Sequence, residues 1–125
     1  DRDRQVVVQG LKKGAAHSVL LATHHPLVEV DCPWLDRDRI VGPLELMNWL
    51  NNVSEQRIRG AVFGHAHQVV KGQVGAWPVF GVPSTGFQFR PHSAKFAVDD
   101  QGPGYQWLDL ADDETIKRTV RRVEG

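Results

Sequence analysis

Hydrophobic residues fall in short runs in the first half of the chain and in still shorter, interrupted stretches in the second. Along residues 3–13 two patterns compete. Val6, Val7 and Val8 form a β-branched run of the kind that favours a strand. Val7, Val8 and Leu11, followed by Lys12 and Lys13, also share one helix face, and Gly14 would stop that helix. The helix is the reading preferred. Residues 18–23, Ser-Val-Leu-Leu-Ala-Thr, make a continuous apolar run that predicts a strand buried on both faces. His24-His25-Pro26 follows, and Pro26 ends any ladder. Residues 27–42, with Pro33, Gly42 and several charges, read as a loop. Pro43 suits the first turn of a helix, and Leu46, Met47, Leu50 and Val53 repeat at helical spacing to about residue 53. Ile58 to Phe63 predicts a second buried strand, running into Gly64-His65-Ala66-His67. Helix, strand, loop, helix, strand is a unit of α/β type.

After His67 the texture changes. Gln68–Val70, Trp77–Gly81, Ala94–Val98, Tyr105–Leu110 and Thr115–Val123 are β-prone, and glycine, proline and aspartate separate them. An antiparallel meander is expected. There is no internal repeat and no low-complexity segment.

Composition narrows the classes of function. The chain has 125 residues, which suits a single unit over residues 1–125, and 41% are apolar, enough for a core. Fifteen basic and fifteen acidic side chains give zero formal net charge, so no global field draws in nucleic acid or an anionic membrane. The basic stretch Lys117–Arg122 reads as a solvated strand edge rather than a nucleic-acid patch. The lone cysteine, Cys32, excludes an intrachain disulfide framework and a Cys-x-x-Cys zinc site, and is compatible with a cytoplasmic location. No apolar run approaches a membrane span. The chain opens on charged residues from Asp1 and without Met, as expected of a fragment.

The histidines carry the candidate chemistry. Of six, His24, His25 and the pair His65 and His67 follow predicted strands, and ligands gather at the carboxyl ends of strands in open α/β sheets. If those two strands are neighbours, their terminal imidazoles meet. In an extended segment, His65 and His67 would point to one face roughly 7 Å apart, within reach of one metal or of two ions about 3.5–4 Å apart. Each motif alone is equally a packed or exposed histidine; their joint occurrence favours metal ligation. His17 reads as a surface residue, and His92 lies in an expected loop. Ser84 lacks a nucleophile elbow, Cys32 lacks a neighbouring base, and there is no phosphate-cradling glycine loop and no dinucleotide fingerprint.

Thr23-His24-His25-Pro26-Leu27 and Gly64-His65-Ala66-His67-Gln68 resemble the last motifs of the calcineurin-like metallophosphoesterases. Trp34-Leu35-Asp36, Pro83-Ser84-Thr85-Gly86-Phe87-Gln88-Phe89, Pro91-His92-Ser93 and Gly102-Pro103-Gly104-Tyr105 resemble the bacterial class III 3′,5′-cyclic-AMP phosphodiesterases within that superfamily. Gly86 stands where that subgroup has Cys, and Gln106 where it has Arg. The resemblance implies an α/β chain of α+β sandwich type, the C-terminal half of a four-layer αββα sandwich. It implies two metal ions (manganese, iron or zinc), with His24 and His65 on one and His67 on the other. His25 would contact the phosphate or the leaving oxygen. The family's earlier Asp-x-His, Gly-Asp and Gly-Asn-His motifs do not occur in these residues, so the site of the isolated chain is expected to be incomplete.

The expected activity of the parent protein is metal-dependent hydrolysis of 3′,5′-cyclic AMP to 5′-AMP. The expected partners are a small cyclic nucleotide or phosphodiester and other copies of the chain, with no nucleic acid and no membrane. The alternatives are a non-catalytic metal-binding or oligomerising module, and a phosphodiesterase for another diester such as a glycerophosphodiester.

Overall fold

The computed structural model of the chain describes residues 2–13 and 18–123. Gly14 and His17 lie outside the described residues. The elements in order are α1 (Arg2–Lys13), β1 (Ser18–Thr23), α2 (Pro33–Asp36), α3 (Pro43–Val53), β2 (Arg57–Phe63), β3 (Val70–Val74), β4 (Trp77–Gly81), β5 (Gly104–Leu110) and β6 (Ile116–Arg122). The mixture is broadly α+β.

Four strands form one sheet in the order β1-β2-β4-β3, and β5 and β6 form a separate two-stranded sheet. β1 and β2 are parallel neighbours, with Thr23 opposite Phe63 at their carboxyl ends. β4 runs parallel to β2, and β3 closes onto β4 as an antiparallel hairpin. The expected meander is therefore corrected: the second half makes two hairpins, and only the first extends the sheet. Ala94–Val98 is not a strand; only Val98 forms a single bridge, to Phe89.

β1 also departs from expectation. It is not buried on both faces: its residues are half-buried and Ala22 is exposed. The reason is its place at the sheet edge, whereas β2, inside the sheet, buries Ile58, Gly60, Ala61 and Phe63. Between the two strands the register slips, with Val19 opposite Ile58 and then Leu20 opposite Gly60. This bulge leaves Arg59 without a partner on β1.

α1 forms over the predicted span despite its three valines, yet buries no residue. Leu11 touches the core from one side, its carbonyl accepts a 2.8 Å bond from the Gln56 amide, and Arg4 lies over the Trp49 ring. α3 starts at Pro43 as expected, buries Met47 and Leu50, and packs against β2 and β3. The core joins Leu27, Leu35, Met47, Leu50, Ile58, Phe63, Trp77 and Val79.

Residues 27–42 are not wholly loop. Pro33 opens the short helix α2, and the Asp36 carboxylate, at its last residue, reaches back to accept bonds from Val30 N at 2.8 Å and Cys32 N at 3.1 Å. This backward bond shapes a segment in which hydrophobic spacing gives no helical signal.

The β5–β6 hairpin is fastened to the sheet by arginines. Arg59 bonds the carbonyls of Ala111 and Thr115, each at 2.8 Å. Arg118 bonds the Val70 carbonyl at 2.6 Å and lies over the Phe80 ring, and Arg57 pairs with Glu114. Among the described residues, no helix is long and apolar enough to cross a membrane.

Candidate metal centre

β1 and β2 end side by side, so the segments leaving them start as neighbours. His24 follows β1 directly, and its turn is held by the Thr23 hydroxyl donating to the His25 carbonyl at 2.9 Å. Pro26 and Leu27 are buried behind it, anchoring the histidines at the surface. After β2 the chain tightens: Ala66 N bonds to the Gly64 carbonyl across His65, the i to i+2 pattern of a γ-turn. His65 accordingly takes φ 56° and His67 φ 50°. The segment is not extended, so the two-residue strand rule that would put both rings on one face does not hold.

The outcome is a three-histidine cluster. The His24 and His65 rings lie 5.1 Å apart, His25 and His65 4.6 Å, and His24 and His25 5.0 Å. Nδ1 of His65 is 3.2 Å from Nε2 of His24. One ring nitrogen from each residue can be chosen so that all lie within 4.8 Å of one another. Imidazole nitrogens sharing one ion at about 2.1 Å each sit roughly 3–4 Å apart, so modest side-chain rotation brings the three to a common point.

Two further features fit a cation. Nε2 of His65 is buried and has no hydrogen-bond partner; the Asp38 carboxylate lies 3.6 Å away, beyond a good bond. The His65 pKa is pushed below its ordinary value of 6.5, first by burial, then by the like charges that His25 and His24 would carry, with Asp38 opposing. Burial outweighs the carboxylate because the latter is exposed and not in bonding contact. His65 is thus held in the neutral form that metals bind.

His67 is not brought into the cluster. Its Nδ1 lies 2.9 Å from the Phe87 carbonyl oxygen, and its ring stacks on Phe89 at 4.5 Å and 13°. His92 stands apart as well, with Nδ1 2.6 Å from the Asp31 carboxylate. Asp38, Asp31 and the Phe87 carbonyl had no signal in the sequence. Each meets its histidine only through the fold, and a carboxylate or carbonyl beside a histidine is invisible to motif spacing.

No family model matches the chain. Among curated proteins, the chain is similar to a probable cyclic nucleotide phosphodiesterase of Psychrobacter sp. (strain PRwf-1), with 32% identity over 109 residues, 86% of this chain and 32% of that protein. It is similar to the 3′,5′-cyclic adenosine monophosphate phosphodiesterase CpdA of Pseudomonas aeruginosa, 33% identical over 106 residues, 85% of this chain and 38% of that protein. It is likewise similar to a 3′,5′-cyclic-nucleotide phosphodiesterase of Nostoc sp., 32% identical over 113 residues, 90% of this chain and 42% of that protein. The chain therefore spans 32% to 42% of the length of these relatives while most of its own length is matched.

Proposed function

We propose that this chain supplies histidine ligands to the metal site of a phosphodiesterase whose substrate is a 3′,5′-cyclic nucleotide, cyclic AMP first. The observation that carries the reading is the convergence of His24, His25 and His65 at the carboxyl ends of two adjacent parallel strands, in a chain whose relatives are named cyclic nucleotide phosphodiesterases. In this reading His24 and His65 hold one ion and His67 a second, the ions being manganese, iron or zinc. Imidazole suits iron and zinc, and carboxylates contributed elsewhere suit manganese. Such ions offset charge on phosphoryl oxygens and make water nucleophilic near neutral pH.

The chain's own residues do the positioning. The strand ends fix His24 and His65, burial keeps His65 neutral, and the Phe87 carbonyl holds the His67 proton on Nδ1, leaving Nε2 to bind. His25, exposed beside them, contacts the phosphate or the leaving oxygen. The same proposal takes the chain as the C-terminal part of a four-layer αββα metallophosphoesterase sandwich, and the free edge of β1 as a place for further strand pairing, including self-association.

The test is Mn²⁺ binding by calorimetry, followed by hydrolysis of cyclic AMP, for the chain and for His65→Ala. Metal binding that the substitution abolishes supports the ligand assignment. Metal binding with no turnover, persisting when the full set of family motifs is supplied, would leave a metal-binding module and remove the phosphodiesterase reading. Mn²⁺ binding unaffected by His65→Ala would remove both.

A further inference from the structure

Five described non-glycine residues have positive φ, and four of them are His65 and His67 in the turn after β2, and Asp31 (58°) and His92 (58°). Such conformations persist where surrounding structure holds them, and they gather at functional sites. Asp31 and His92 are 61 residues apart in sequence, yet Nδ1 of His92 lies 2.6 Å from Oδ2 of Asp31. Both residues border a cavity of about 440 Å³ whose other walls include His67, Phe89, Gln101 and Arg122. That volume falls within the roughly 300–1,000 Å³ of small-molecule sites.

We propose that this cavity is a subsite for a nucleoside bearing an amino group, and that His92, oriented by Asp31, recognises that group. A carboxylate accepts, so the proton of neutral His92 resides on Nδ1 and its Nε2 is a free acceptor. An exocyclic amino group of a nucleobase matches that acceptor. Gln101 and Arg122 supply donors for ring nitrogens and sugar oxygens, and Phe89 contributes an aromatic wall. A glycerol is too small to fill the space. The location of the subsite relative to the scissile phosphate rests on the phosphodiesterase reading; nucleoside binding itself needs no metal.

The experiment is titration of adenosine into the metal-free chain, followed by ¹H–¹⁵N NMR, with inosine, glycerol and Mn²⁺ titrated separately. Saturable shifts are expected at Asp31, Gln101 and Arg122. Inosine, with a carbonyl in place of the amino group, should bind about ten-fold more weakly, as should adenosine to His92→Phe. Mn²⁺ affinity should be the same in His92→Phe as in the parent chain. No saturable shift at millimolar adenosine would overturn the proposal. So would shifts confined to other surfaces, equal affinity for inosine, saturable glycerol binding in the cavity, or an unaltered His92→Phe. Adenosine binding in a chain that binds no Mn²⁺ even when the family's earlier motifs are supplied upholds the subsite and removes the phosphodiesterase reading. Mn²⁺ binding without adenosine binding does the reverse.

Discussion

The carbonyl oxygen of Phe87 sits 2.9 Å from Nδ1 of His67, and because a carbonyl only accepts, the ring proton belongs on Nδ1. The measurable consequence is a tautomer opposite to the Nε2–H form usual for free neutral histidine. Long-range ¹H–¹⁵N spectra at pH 8 should show His67 Nδ1 with the shift of a protonated nitrogen and Nε2 with that of a bare one. A Nε2–H signature would break the geometric link between the Phe87 loop and the metal site.

His65 gives a pH dependence with a definite sign. Its folded pKa lies below 6.5, chiefly through burial, so in the window beneath 6.5 the unfolded chain binds more protons at this position than the folded chain. Stability from this group is therefore fully present above about 6.5 and is lost as pH falls through that window. Metal binding adds to the same trend, because protons compete with the ion. Mn²⁺ affinity by calorimetry should fall steeply between about pH 7 and 5.5, and His65→Ala should bind no Mn²⁺ anywhere in that range. Affinity unchanged at pH 5 would exclude ligation dominated by histidine.

Gly60 lies beside the β1–β2 bulge, opposite Leu20, with Pro78 of β4 close against it. A Cβ there would come 2.5 Å from the Pro78 carbonyl oxygen, a backbone atom that cannot rotate away. Gly60→Ala should cost about 1–3 kcal/mol in urea unfolding. Gly10, within α1, has nothing within 4 Å of its position. Gly10→Ala should instead stabilise by about 0.5–1 kcal/mol through helix entropy. Equal effects from the two substitutions would mean that the close packing of β2 on β4 is not what requires Gly60.

Gln88 is 2% exposed and fully bonded. Its carbonyl accepts from Ser84 N at 3.0 Å, and its amide donates to the carbonyls of Ser84 at 2.8 Å and Gly102 at 3.2 Å. Gln88→Leu keeps the volume but leaves Ser84 N without its acceptor, while the Ser84 and Gly102 carbonyls keep Gly104 N and Arg122 Nη1 as donors; the cost is about 1–3 kcal/mol. Because Gln88 adjoins Phe87, the same variant should also blur the His67 tautomer signal. Lost stability with an intact tautomer would show that the loop holds the carbonyl without the clamp.

The parts legible in the sequence were those set by local pattern. The apolar runs ending at Thr23 and Phe63, the helix opening at Pro43 and the strand Trp77–Gly81 all follow from spacing and punctuation. The meeting of His24 and His65 followed from one assumption, that the two strands are adjacent. What was not legible depends on backbone sign or on long-range contact. Left-handed φ at His65 and His67 cancels the alternation that would have aligned their rings. The Asp36 carboxylate builds α2 from bonds that leave no hydrophobic period. Residues 94–98 have strand-like composition but pair only at Val98; Phe96 instead packs edge-on against Trp34 and Phe89, a long-range contact that β-propensity does not report.

The hairpin fastened by arginines has a consequence for motion. Exposed Tyr105, Trp107 and Leu110 show that β5 and β6 contribute little apolar burial, and the two Arg59 bonds that fasten them lie in water. Such a unit opens on its own, with a smaller free energy than the sheet it leans on. Amides of β5 and β6 should then exchange with solvent by a sub-global route while those of β2 and β4 wait for global unfolding. Arg122 belongs to β6 and also lines the cavity that His92 borders, so each such opening would dismantle and rebuild that part of the wall, tying access to the cavity to the breathing of the hairpin.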